Sequence, residues 1–119
     1  MSKLPIFVLC LSVILLSSYF IYFQTKRPEL EYKPGKWPQL DTAVNQAQHI
    51  YKLKIQTGED LSSGPCISNA LMPGWVVDIV HSPRQEIDDL PQNQCSAYLE
   101  GRAKHFVELD LEGDVIRVR

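Results

Sequence analysis

The sequence is short of net charge, of cysteine and of recurring motifs, and each of these absences excludes a class of protein. Its 12 lysines and arginines stand against 14 aspartates and glutamates, so it lacks the basic excess of nucleic-acid-binding domains. It has no C-x-x-C pair of a thioredoxin-type redox centre. Its 119 residues contain no internal repeat and suffice for one domain at most. We therefore expect one small domain and no nucleic-acid partner.

Charge is completely absent from residues 4–23, which read LPIFVLCLSVILLSSYFIYF. As a helix this run spans about 30 Å, the thickness of the hydrocarbon core of a bilayer. It is longer than the apolar region of a cleaved signal peptide, and no small-x-small cleavage site follows it. The sequence predicts an uncleaved transmembrane signal-anchor helix over residues 1–25, with the lipid bilayer as a partner.

Residues 26–39 contain three prolines and a glycine, which predicts a stiff proline-rich spacer. The predicted domain occupies residues 40–119. It begins with a helix at about 41–57, which has Asp41 or Thr42 as its N-cap and Gly58 just after its end.

After this helix the pattern favours β-structure. Residues 59–74 predict an irregular link, and the β-branched run WVVDIV at 75–80 predicts a strand. Residues 105–119 alternate about a Glu-Gly-Asp turn, which predicts a hairpin. The expected fold class is α+β, with one helix packed on a three-stranded antiparallel sheet. In that arrangement Val107, Leu109, Ile116 and Val118 face the helix, and Glu108, Asp110 and Arg117 face water or a partner.

Cys66 and Cys95 are the two cysteines outside the apolar run, and each flanks the predicted first strand. An even number of cysteines in a short exported domain predicts a disulfide, which would contribute about 3.6 kcal/mol in the chain-entropy model. Such a bond needs an oxidising compartment. The lysines and arginines after the apolar run favour the cytoplasmic side. The charge asymmetry is small, so we give the cysteines more weight and expect an extracytoplasmic domain on a single-pass membrane protein.

The layout of an apolar N-terminal helix before a small disulfide-bonded sheet resembles that of type IV pilins and pseudopilins. Those chains carry a Gly-Phe cleavage junction and a glutamate five residues into the mature helix. The corresponding stretch here is KLPIFVLCLS, which has neither residue. We therefore assign no family.

The sequence contains few candidate residues for catalysis or metal binding. A cysteine enzyme would need a free Cys66 beside a histidine, and no such motif is present. His81, His105 and Asp78 are weak metal candidates, because Asp78 and His81 are three apart and point to opposite faces of a strand. We expect no catalytic activity, no cofactor and no metal.

The long polar segment at residues 82–97 is the best candidate for a binding element, because long ordered loops in small domains are often functional. An equally simple interpretation is a solvated connection held by the disulfide. The candidate binding residues are Arg84, Glu86, Asp88, Asp89, Gln92 and Asn93. The sequence predicts a membrane-anchored extracytoplasmic interaction or accessory domain with an unknown protein partner. Its alternatives are a small subunit of a membrane complex, a Cys/His-dependent enzyme or a metal-binding domain.

Overall fold

The computed structural model describes residues 3–25 and 32–119, with side chains omitted for residues 23–25. Helix α1 (Leu4–Thr25) has 22 residues and is about 33 Å long. It is long and apolar enough over Leu4–Tyr22 to cross a membrane, and none of that span is buried against the rest of the chain. Three serine hydroxyls donate to carbonyls one turn earlier within α1, which leaves them satisfied in an apolar medium; they belong to Ser12, Ser17 and Ser18.

Helix α2 (Pro38–Gln56) begins three residues before the predicted start. Pro38 occupies the first turn, where its missing N–H costs nothing. Asp41 is therefore not the N-cap, and the helix takes in the last two residues of the predicted spacer. The other end agrees with the prediction, since Gly58 follows the helix with φ of +76°. Spacer residues 26–31 lie outside the described residues.

The remaining chain forms a small mixed sheet in which the strands follow one another in sequence order. A third, one-turn helix α3 and two 3-10 helices lie in the connection between the second and third strands. The strands are β1 (Cys66–Met72), β2 (Trp75–Ile79), β3 (His105–Leu109) and β4 (Val115–Val118). The helical turns are Glu86–Asp89, Pro91–Asn93 and α3 (Ser96–Leu99).

The α+β class with an N-terminal apolar helix is confirmed, but the three-stranded antiparallel sheet is wrong in two respects. First, β1 lies in the segment predicted as an irregular link; its pairing with β2 has register shifts, and its sequence CISNALM has no clear alternation. Second, β2 pairs with β3 in parallel. A parallel pair needs a connection of a dozen or more residues, and residues 80–104 supply it. This connection contains no long helix, so the sequence lacks the usual signal of a crossover between parallel strands.

The two faces of the sheet are covered differently. Helix α2 packs on one face, where its small side chains allow a close approach to apolar strand residues. That core includes Ala43, Val44 and Ala47 of α2 with Val77, Ile79, Val107, Leu109 and Val118 of the sheet. The connection from β2 to β3 lies over the other face and buries a smaller cluster beneath it: Val76, Cys95, Ala97, Ala103 and Phe106.

Ile116 does not face α2 as expected. It is 43% exposed, because a register shift in the β3–β4 pairing leaves it without a partner between Val115, opposite Leu109, and Arg117, opposite Glu108. Such a bulge turns the extra residue out of the regular alternation. Val115 instead packs against the α2 core.

Candidate functional site

The disulfide joins β1 to the connection that covers the second face of the sheet. The Sγ atoms of Cys66 and Cys95 are 2.07 Å apart, and the two Cα atoms 5.0 Å apart. A second tie lies nearby, because the Asn69 side-chain oxygen accepts the Ala97 N–H at 2.9 Å. The connection is therefore fastened to β1 at the start of α3. In this state Cys66 offers no thiol to a nucleophilic mechanism.

Asp88 holds the other end of the connection. Its side chain is fully enclosed. Oδ2 accepts the backbone N–H groups of His81 at 3.1 Å and Gln85 at 2.8 Å, and Oδ1 lies 2.8 Å from His81 Nδ1. Burial opposes the ionisation of Asp88, but these hydrogen bonds and the nearby imidazole outweigh it and lower the pKa of the carboxyl. Gly64 allows the close approach, since a Cβ there would collide with Asp88 Oδ1.

Two arginines converge on the buried Glu108 of β3. Arg84 Nη1 donates to Glu108 Oε1 at 3.3 Å, and Arg117 Nη2 donates to the same oxygen at 3.0 Å. Arg84 also donates to Asp89 Oδ1 from Nε at 3.1 Å and from Nη2 at 2.9 Å. The Arg117 guanidinium lies 4.9 Å from the ring centre of Phe106. Charged groups from the connection, β3 and β4 thus meet in one network.

Asp78 of β2 lies beside this network, in register with Glu108. Burial and the neighbouring Glu108 charge raise the pKa of Asp78 to about 7, although Arg84 and Arg117 favour its ionised form. The group therefore exchanges a proton near neutral pH.

A cleft of about 160 Å³ lies beside this network. Its lining combines charged residues of the network with apolar and aromatic ones, among them Val76, Cys95, Tyr98 and Phe106. This volume is below the roughly 300–1,000 Å³ of typical small-molecule sites. The cleft offers guanidinium donors and carboxyl acceptors at its edge, with room for about one side chain of a partner. The geometry fits surface recognition better than enclosure of a substrate.

The six candidate residues of the predicted binding loop separate into two groups. Asp88 and Asn93 are buried and structural; Asn93 Nδ2 donates to the Ile87 carbonyl at 2.9 Å. The exposed group consists of Arg84, Glu86, Asp89 and Gln92. The prediction that Glu108 faces water or a partner is wrong, because Arg84 and Arg117 cover its carboxylate. The alternation of HFVEL did carry the signal that Glu108 lies on the face opposite α2.

The structure does not bring the three metal candidates together. His105 stacks on Trp75 at the start of β3, with ring centres 4.7 Å apart. Asp78 is three register positions further along the sheet, and His81 lies beyond the end of β2. Across residues 3–25 and 32–119, no three His, Cys, Asp or Glu side chains are grouped closely enough to hold a metal ion.

Comparison of the chain with protein-family models, with curated proteins and with solved structures found no match.

Proposed function

We propose that this protein is a membrane-anchored, extracytoplasmic interaction domain that recognises a partner protein without catalysing a reaction. Its recognition surface consists of the exposed residues of the β2–β3 connection and the edge of the adjoining cleft. We call this surface the connection face.

The observation that carries this proposal is the Cys66–Cys95 disulfide in a domain joined to an apolar span of which no part is buried. A structural disulfide favours an oxidising compartment. An apolar run of this length favours retention in the bilayer. Together they support the proposed location of the domain at the outer surface of a membrane.

The composition of the connection face supports a protein partner. Leu90, Tyr98 and Leu99 are 41%, 40% and 56% exposed there, and the Arg84–Asp89 pair lies in the same connection. Exposed aromatic and arginine side chains among aliphatic ones are typical of protein interfaces. The disulfide and Asp88 hold both ends of the connection, so little conformational entropy is lost when a partner binds.

The location is tested by counting thiols in membranes from the native cell. The membranes are denatured and treated with a mass-shifting maleimide, with and without prior reduction. We expect one adduct before reduction, at Cys10, and three after it. A Cys10→Ser variant should lose one adduct from both samples. Three adducts without reduction would contradict the extracytoplasmic location.

The recognition surface is tested by photo-crosslinking in intact cells, with a benzophenone amino acid at Gln92 of the connection face. The matched control carries the same group at Gln46, which is exposed on α2. We expect a discrete adduct from position 92 that Arg84→Glu abolishes, and no such adduct from position 46. Equal labelling at both positions would contradict the proposal. A discrete adduct only from Val13 in α1 would support the alternative, a membrane-complex subunit bound through its helix.

A further inference from the structure

The turn formed by residues 32–37, which we call the anchor turn, is held in a fixed shape by Asp41 of α2. Asp41 Oδ1 accepts the Tyr32 hydroxyl at 2.6 Å, and its two carboxylate oxygens accept the Gly35 N–H at 3.2 and 3.1 Å. Burial, helped by this hydrogen bond and the Asp41 charge, raises the pKa of Tyr32 to about 12. The hydroxyl therefore stays a donor throughout the physiological range, and the turn keeps its connection to the helix.

This fixed turn presents a large aromatic side chain to the outside. Trp37 is 48% exposed, whereas the second tryptophan, Trp75, is only 7% exposed in the core. Lys36 Nζ lies 5.8 Å from the centre of the Trp37 ring, and Lys33 lies at the other end of the same turn, also exposed. An exposed tryptophan beside lysines is the combination typical of the membrane–water interface, where the ring lies at the headgroup level and the ammonium groups meet phosphates.

The length of the chain keeps the anchor turn close to the bilayer. Tyr32 follows the last residue of α1, Thr25, by seven residues, which reach at most about 25 Å when fully extended. The headgroup layer begins where the apolar span ends. The seven residues therefore allow the turn to lie at the headgroups of the same bilayer, and they keep it within about 25 Å of the end of α1.

We propose that the anchor turn lies in the headgroup layer of the same bilayer that holds α1, with the Trp37 ring at the interface and the neighbouring Lys36 against lipid phosphates. This inference rests on the membrane anchoring proposed above. Because α2 begins at Pro38, directly after Trp37, the contact would fix the start of α2 at the membrane surface. The domain would then have a defined orientation despite its spacer.

The test uses the full chain in vesicles of zwitterionic and anionic phospholipid. Flotation first establishes that the chain is in the bilayer. Tryptophan emission is then compared between ordinary vesicles and vesicles brominated either near the headgroup or near the chain end. Subtraction of the emission of Trp37→Phe from that of the wild type isolates Trp37, because the chain has two tryptophans.

We expect bromine near the headgroup to reduce Trp37 emission about twofold, as for an interfacial ring, and bromine near the chain end to act less. Trp75 emission, observed in Trp37→Phe, should not change. The variant Lys36→Gln should weaken the quenching. A matched control places the ring elsewhere on the domain surface, as Ile116→Trp in the Trp37→Phe background, and should show no quenching.

The outcomes separate the two proposals. If the chain floats with the vesicles but Trp37 is unquenched, the anchor turn does not contact lipid, and this inference is overturned while the anchoring stands. Equal quenching at positions 37 and 116 would also overturn it, since contact would not be specific to the turn. If the chain fails to float, both proposals are wrong.

Discussion

The two faces of the sheet are built by opposite means. On the α2 face, Val77, Ile79, Val107 and Leu109 are fully enclosed by apolar neighbours. On the face below the connection, apolar residues alternate with Asp78, Glu108 and Arg117, and the cover is held by a disulfide and a buried carboxylate. Non-directional burial stabilises the first face, whereas directional and covalent bonds stabilise the second.

This difference indicates a division of roles. Helix α2 holds the strands together through apolar contacts. The opposite face carries ionisable groups at a cost in desolvation, which is an uneconomical way to stabilise an 80-residue domain. We propose that the ionisable groups of the second face take part in the recognition proposed above, and the following variants compare the two faces.

Loss of the disulfide should have the largest effect. The double variant Cys66→Ser/Cys95→Ser should lower the free energy of unfolding by about 3.6 kcal/mol, because the unfolded chain regains the entropy of an open loop. Urea unfolding of the full chain in detergent measures this, with Cys10→Ser as the neutral control. A loss below about 1 kcal/mol would mean that the connection is held by its hydrogen bonds alone.

A cavity in the core on the α2 face should lower the free energy of unfolding nearly as much as loss of the disulfide. Ile79→Ala should lower the free energy of unfolding by about 3 kcal/mol, because Ile79 is fully buried and its neighbours cannot collapse into the space. The matched control is Ile116→Ala at the exposed bulge, which should cost less than about 1 kcal/mol. Similar losses at the two positions would contradict the assignment of the core.

Asp88→Asn should lower the free energy of unfolding by about 2 kcal/mol, because an amide cannot accept all the N–H groups that the carboxylate accepts. The pKa of Asp88 is lowered in the folded state, so its contribution is present above the unfolded pKa near 4 and is lost as pH falls through the lower folded value. Urea unfolding from pH 7 down to pH 3 should therefore show the variant and the wild type converging in acid. If the difference in free energy of unfolding between the variant and the wild type stays constant over this range, the ionisation of Asp88 is not the cause of the difference.

Asp78→Asn should have the smallest effect on the free energy of unfolding, and it should raise this free energy rather than lower it. The folded pKa of about 7 lies above the ordinary aspartate value of 3.8, so the free energy of unfolding falls as pH rises between these values, since only the unfolded state releases its proton. From pH 5 to pH 8 the free energy of unfolding of the variant should rise by about 1 kcal/mol relative to that of the wild type. This value is reduced because water reaches the partly buried carboxyl group. Measurement of the two unfolding curves at both pH values tests the sign. A gain confined to acid would contradict the raised pKa.

Much of the architecture follows from local pattern. The apolar span, the end of α2 at Gly58 and the hairpin about Gly113 depend on runs of neighbouring residues, and the sequence predicts each of them. The pairing of Cys66 with Cys95 needed only the count of cysteines outside the span. The start of α2 was missed because Asp41, a good N-cap residue, is used by the anchor turn instead.

The candidate site was harder to foresee, because its residues meet only after folding. Arg84 and Glu108 are 24 residues apart in sequence, and their contact depends on the parallel pairing of β2 with β3. Nothing in the sequence marks Asp88 as buried while Asp89 is exposed, since both occur in the same polar run. Sequence by itself determined where the chain is apolar, where it turns and which cysteines are free to pair, because these properties reside in short segments. Only the tertiary structure decided which charges are buried together and how their pKa values move, because desolvation and Coulomb interaction depend on distances in space rather than along the chain.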